Sequence, residues 1–121
     1  MFQIDRSSAV APYEQLRSQI IDAIASGSLA VDTRLPPVRT LAADLGTAAG
    51  TIARAYRELE EAGVVITRGR HGTFVAAHGD ATKQAVQHAA AAFVEVVRSL
   101  HVSDDVALEL ITRALHSIPA R

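Results

Sequence analysis

Cysteine is absent from the 121 residues, which excludes disulfides, zinc–thiolate sites and thiol catalysis. Aromatic residues are scarce: Phe2, Phe74, Phe93, Tyr13 and Tyr56 are the whole set. Apolar residues still make up 49% of the chain, and much of that share is alanine, which favours close helix packing over a wide ligand-binding core. Long hydrophobic runs are lacking too. No stretch approaches the roughly 20 apolar residues of a bilayer span, and no secretory signal is evident. No membrane partner is therefore expected, and the expected location is cytoplasmic. A surplus of positive charge is also missing, because the formal net charge is −1 at pH 7. Bulk charge alone gives no argument for a nucleic-acid partner.

The kind of basic residue is more informative. Lys83 is the single lysine and the remaining basic residues are arginines, whose planar donor forks suit phosphates and guanine edges. A GC-rich genome raises arginine and alanine together, so only the placement of individual arginines carries weight. Catalytic chemistry finds no foothold. There is no glycine-rich phosphate loop and no nucleophile in a recognisable elbow. His78, His88, His101 and His116 lack the helical i, i+4 pairing beside an acid that would mark a metal site. No enzyme activity, metal or cofactor is expected.

Along the chain, Met1 to Val10 reads as an irregular or extended arm. Pro12 suits a first helical position, and Leu16, Ile20 and Ile24 continue at helical spacing, giving a first helix over Pro12 to Ser26. Leu29 to Leu35 is a connector with a short strand near Arg34 as one reading. Pro36 and Pro37 open a second helix whose apolar face is Leu41, Ala42 and Leu45, and Gly46 ends it. A third helix follows at once, with Ile52, Ala55, Tyr56 and Leu59 inward and Gly63 closing it. Val64, Val65 and Ile66 are β-branched and predict a strand. Residues 68–72 form a glycine-bearing turn, and Thr73, Phe74 and Val75 return, completing a β-hairpin.

Two helices joined by so short a turn need a small residue at their crossing and a residue tolerant of positive φ between them. Ala42 and Gly46 meet those needs, and Ile52 anchors the second helix inward. This is the pattern of a helix-turn-helix, although an ordinary helical hairpin shares it. The β-hairpin that follows tips the balance towards a winged helix-turn-helix. Arg68 and Arg70 at its tip can reach a minor groove or phosphates. On the third helix, the face opposite the inner stripe presents Gly50, Thr51, Arg54 and Arg57. A recognition helix reads base edges with its N-terminal part, and its first N–H groups can hold a phosphate. Glu58, Glu60 and Glu61 lie further on and would repel DNA, so entry by the first turns is expected.

Four blocks, Pro12-Tyr13-Glu14-Gln15-Leu16, residues 35–42 (Leu-Pro-Pro-Val-Arg-Thr-Leu-Ala), residues 51–60 (Thr-Ile-Ala-Arg-Ala-Tyr-Arg-Glu-Leu-Glu) and residues 69–75 (Gly-Arg-His-Gly-Thr-Phe-Val), resemble the GntR-family winged-helix domain in order and spacing. The resemblance implies a homodimeric bacterial repressor on a palindromic double-stranded operator, with release by a small-molecule effector common in the family. By motif position it places DNA contacts on Arg39, on Gly50 and Thr51, and on Arg68 and Gly69, with Arg54 as a phosphate contact. One departure stands out. The turn reads Thr47-Ala48-Ala49-Gly50, where the family carries a polar cap and then Arg or Pro. Ala48 cannot cap the third helix, a loss of about 1 kcal/mol, and Ala49 cannot make an arginine's base contact. This departure keeps open an alternative, a winged-helix protein-interaction module without sequence-specific DNA binding.

The expected domains are residues 1–77, the winged helix-turn-helix, and 78–121, a two-helix segment. The second resembles the short extension of the YtrA-like subgroup; the effector domains of other subgroups do not fit in roughly 45 residues. Ala81 to Leu100 carries an apolar seam of Val86, Ala90, Phe93, Val97 and Leu100. Ser103 then caps a last helix bearing Ala107, Ile111, Leu115 and Ile118. Exposure of this seam in a monomer argues for dimerisation through it, with Ile111 and Leu115 taking part, against packing on the chain's own winged helix. An effector in a dimer groove near Phe93 is a further expectation.

Overall fold

The first helix, α1, runs Pro12–Ala25 with Pro12 at its start and Ser26 just past its end. Its apolar spacing turns Leu16 and Ile20 inward, and neither retains any exposed surface. The computed structural model describes residues 2–79 and 81–118; Met1, Asp80 and residues 119–121, which the expected domain ranges include, lie outside the described residues. Helix α2 (Val38–Leu45) begins one residue after Pro37, which sits in extended backbone as its N-cap and so precedes the helix instead of lying in it. Gly46 follows with φ 64° and ψ 37°. That left-handed turn lets the Gly46 and Thr47 N–H groups bond back to the Ala43 and Ala42 carbonyls at 3.3 and 3.0 Å, so the chain reverses within three residues.

Helix α3 (Ala49–Glu61) buries Ile52, Ala55, Tyr56 and Leu59, the stripe read from the sequence. Its end takes up Val64: the Val64 N–H donates to the Leu59 carbonyl at 2.9 Å. The first wing strand, β1, therefore spans Val65–Thr67, one residue later than its β-branched run suggests. It pairs antiparallel with β2 (Thr73–Val75), Val65 opposite Val75 and Thr67 opposite Thr73. The connector adds a third edge. Arg34 bridges Phe74, the Leu35 N–H donates to the Thr73 carbonyl at 2.8 Å, and the Val75 N–H to the Thr33 carbonyl at 2.9 Å. Between the strands, Gly69–His71 forms one turn of 3-10 helix.

One core ties these elements together: Leu16, Ile20, Leu35, Ile52, Leu59 and Val75 are the largest fully buried side chains. Tyr56 fixes α3 against the start of α2, its hydroxyl donating to the Pro36 carbonyl at 2.7 Å. Burial pushes that phenol up to about 12. Tyr56→Phe leaves the Pro36 carbonyl without its donor, so a loss of about 1 kcal/mol is expected in urea unfolding. An unchanged transition would show that water replaces the bond.

Among the described residues the arm contains no helix or strand, yet it is held. Gln19 accepts from the Gln3 N–H at 3.0 Å and donates to the Gln3 carbonyl at 2.6 Å. Gln15, one turn earlier, does the same for Asp5 at 2.8 and 2.9 Å. Two glutamine amides thus imitate a sheet ladder along α1, and Phe2 and Ile4 pack against the core.

Helices α4 (Ala81–Ser99) and α5 (Asp104–Ser117) follow the wing. Ser103 caps α5 as expected, accepting from the Val106 N–H at 3.3 Å. Val97 is only 6% exposed and Ala107 8%, and both line the cleft between the two helices with Phe93 and Ile111. The middle of the α4 seam therefore faces α5 of the same chain. Val86, Leu100 and Leu115 remain 63%, 68% and 76% exposed.

Candidate nucleic-acid interface

Residues Ala48, Ala49 and Gly50 are all exposed at the start of α3. No side chain caps this helix; Ala48 holds the N-cap position with φ −70° and ψ 145°. The first-turn N–H groups of an α-helix have no i−4 acceptor within the helix; here the Thr51 N–H turns back to the Ala48 carbonyl at 3.1 Å, and those of Ala49 and Gly50 are left as donors beside the positive end of the helix dipole. Gly50 has nothing within 4 Å of where a Cβ would stand, so its backbone is open to approach. Thr51 is half-buried next to it.

The arginines singled out in the sequence fall into two groups. Arg39 on α2, Arg57 on α3 and Arg70 at the wing tip are exposed and have no ion-pair partner among the described residues. Arg54 and Arg68 are engaged. The Arg54 guanidinium lies 3.7 Å from the centre of the Tyr13 ring, and its Nε stands 3.2 Å from a Glu58 oxygen. Glu58 also faces Arg17 at 3.7 Å. Arg68 donates to Asp32 at 2.5 Å and covers the Phe74 ring at 4.5 Å. Exposed pairs of this kind contribute about 0.2–1 kcal/mol, so a phosphate can recruit either arginine at small cost.

The wing tip is shaped by Gly69 and Gly72. The Arg68 N–H donates to the Gly72 carbonyl at 2.8 Å. Gly72 has φ +110°, and a Cβ there would stand 2.7 Å from Arg34 Nε, so only glycine lets Arg34 pass beneath the tip. Of the acids on α3, Glu60 accepts from the Thr67 N–H at 3.1 Å and so braces β1.

Some side chains at this surface carried no sequence signal. Arg6 donates to the Gly46 carbonyl, which brings the arm to the turn between α2 and α3. Asp32 joins three elements, accepting from Arg68 of the wing and facing His88 Nδ1 of α4 at 2.9 Å. Burial pushes the Asp32 carboxyl up, but the hydrogen bonds to His88 and Arg68 and their charges outweigh it and hold it below the usual carboxylate range. Asp32 sits at φ 67°, a conformation that aspartate tolerates better than most residues. Its contacts are 36 and 56 residues away in sequence, beyond any local pattern.

Residues 12–75 match the pattern of bacterial regulatory proteins of the gntR family. This chain is a GntR-family transcriptional regulator. Over 110 residues it is 46% identical to an HTH-type transcriptional regulator of Mycobacterium tuberculosis, covering 91% of this chain and 90% of that protein. YtrA from Sulfolobus acidocaldarius, a GntR-family transcription factor of known structure, is similar over 97% of this chain and 98% of its own, with 25% identity and a TM-score of 0.59. The DNA-binding domain of AraR, solved in complex with operator ORE1, matches 63% of this chain and 95% of its own, with 28% identity and a TM-score of 0.54.

These relatives are regulators and not enzymes, and the winged-helix architecture read from the sequence is that of the family. Among the described residues no helix of this GntR regulator is long and apolar enough to cross a membrane. The open start of α3 separates its stability from its binding. Ala48→Asp supplies the missing cap and is expected to stabilise the regulator by about 1 kcal/mol. The same carboxylate occupies the donors a phosphate would use, so affinity for duplex DNA is expected to fall about tenfold, a loss of 1.4 kcal/mol. Thermal unfolding and fluorescence anisotropy read the two effects. Stabilisation with undiminished DNA binding would show that no phosphate meets these N–H groups.

Proposed function

We propose that this regulator is a homodimeric repressor that binds a palindromic operator, with residues 1–77 as the reading domain and 78–121 as the pairing segment. The observation that carries the reading is the set of three exposed arginines, Arg39, Arg57 and Arg70, without an ion-pair partner among the described residues. They lie on α2, α3 and the wing, the three elements that a winged helix presents to DNA. Helix α3 enters the major groove by its first turns, where Gly50 and Thr51 meet base edges or phosphate. Arg39 and Arg54 take flanking phosphates, and Gly69 lets Arg68 and Arg70 approach the next backbone or minor groove. The acids at the far end of α3 stay outside the groove.

Pairing rests on apolar surface that the single chain leaves uncovered. Val86, Ala90, Leu100 and Leu115 are exposed, Ile111 is exposed at the edge of the cleft between α4 and α5, and Phe93 and Val97 are spent on that cleft. A two-fold dimer sets its reading helices about 34 Å apart, one turn of DNA. The repressor sign, and release by a small effector, follow from the family resemblance.

Selection of bound duplexes from a random pool, with a mass measurement in solution, tests this reading. The expected result is two inverted half-sites one helical turn apart and twice the chain mass. A single asymmetric half-site bound by a lone chain would overturn it. A protein-interaction role without sequence-specific DNA recognition is favoured by one feature, the engagement of Arg54 and Arg17 by Glu58. DNA binding that ignores both salt and sequence would select that alternative.

A further inference from the structure

A cavity of about 650 Å³ lies between the winged helix and α4. Its volume falls within the roughly 300–1,000 Å³ of small-molecule sites. Its apolar wall comes from Ile24 at the end of α1, Leu29 and Val31 in the connector, and Ala91 and Val94 on α4. The charges around it do not cancel. Arg98 is paired with Asp104, and Asp32 is met by Arg68 and His88. His78 shares a hydrogen bond with Gln87. Glu95 lines the same space, is exposed, and has no ion-pair partner among the described residues. One negative charge is left over beside an apolar wall.

The cavity shares Ala90 with the pairing seam but otherwise uses a different side of α4. Gln87, Ala91, Val94 and Arg98 recur on one helical face, while Val86, Phe93, Val97 and Leu100 lie about 100° around the helix. A dimer that covers the seam meets the cavity at Ala90 and leaves the face of Gln87, Ala91 and Val94 to the ligand.

We propose that this cavity binds a small amphipathic cation, an apolar body carrying one protonated amine or guanidine, as the effector of the regulator. The assignment of effector rests on the reading given above; the site itself does not. The apolar body lies along Leu29, Ala91 and Val94, and the cation faces Glu95 and Asp32. Asp32 makes the site more than a pocket, because the same carboxylate holds Arg68 of the wing at 2.5 Å and faces His88 of α4 at 2.9 Å. A cation that draws Asp32 towards the cavity competes with Arg68; the backbone bonds of Thr33 and Leu35 keep the wing strands in place, but the wing tip loses its anchor and Arg68 meets DNA from an unfixed position. Ligand entry and DNA affinity are thereby coupled through one side chain.

The test uses the full chain with octylammonium chloride as probe and sodium octanoate as the charge-inverted control of equal length. Calorimetry or thermal unfolding is expected to show binding of octylammonium and none of octanoate at the same concentration. Ala91→Trp, which blocks the apolar wall, and Glu95→Gln, an exposed substitution that spares folding, are each expected to remove the response. Equal responses to the two probes, or an octylammonium response unaltered in Glu95→Gln, would overturn the site. Anisotropy with duplex DNA reads the coupling. Octylammonium is expected to weaken DNA binding at least about fivefold, the lower end of allosteric coupling, and to have no such effect in Asp32→Asn. Undiminished DNA affinity with the cavity filled, or the same loss in Asp32→Asn, overturns the coupling. A regulator that binds octylammonium but no duplex upholds the site and counts against the DNA reading instead.

Discussion

Replacing Arg39, Arg57 and Arg70 together by alanine is expected to lower affinity for duplex DNA by about 500-fold at 0.1 M salt and to flatten the slope of log K against log salt by about 2.7. The figure follows from counterion release. Each neutralised phosphate contributes about 0.9 to that slope, and three arginines contribute three times as much. The loss is expected without unfolding, because all three side chains are exposed and outside the core. Single replacements should each change the slope by about 0.9. Arg54→Ala and Arg68→Ala should do less, since part of their charge is already spent on Glu58 and Asp32. Titrations at several salt concentrations, with circular dichroism as the folding control, decide the matter. A triple variant with the wild-type slope would remove these arginines from the interface.

For the proposed dimer, Leu100→Glu combined with Leu115→Glu is expected to leave only monomers at micromolar concentration. Both leucines stand more than two-thirds exposed in the single chain, so the change removes nothing from its own core. In a two-fold dimer each substitution counts twice. Burying one leucine contributes about 1.5–3 kcal/mol, so four lost leucines remove about 6 kcal/mol or more, above 10⁴-fold in the dimer dissociation constant. Sedimentation should show the single-chain mass, and binding to a two-half-site duplex should fall with it. A double variant that stays dimeric would place the interface elsewhere.

The two expectations rest on different kinds of information. The arginines of the reading face were visible in the sequence because α3 is amphipathic over three turns: once Ile52, Tyr56 and Leu59 point inward, Arg54 and Arg57 must point out. Helix ends were nearly as legible. Pro12, Gly46 and Ser103 each act through local backbone chemistry, and each stands at or beside the boundary it predicts. The one-residue shift of β1 has a local cause as well, since the Val64 N–H is consumed by the end of α3.

What escaped the sequence was the engagement of side chains across distance. Nothing near Gln15 and Gln19 announces that their amides hold the arm, because the partners lie 10 and 16 residues back. Nothing beside Arg68 reveals that Asp32 and Phe74 hold it while Arg70 has no ion-pair partner among the described residues. The seam of α4 reads as a single stripe, yet its centre at Val97 turns to α5 and its ends stay bare. Periodicity assigns a face to a residue but does not say which neighbour covers that face.

Residue order alone therefore determined the helices, the turn at Gly46, the wing and the set of arginines facing out, since each follows from backbone preference or from a repeat within a few residues. Only the folded chain decided which arginines are already neutralised, that Asp32 links wing to α4, and that a cavity with one surplus negative charge opens beside it. Those outcomes depend on where distant segments meet, and charge balance at such a meeting point is a property of three dimensions.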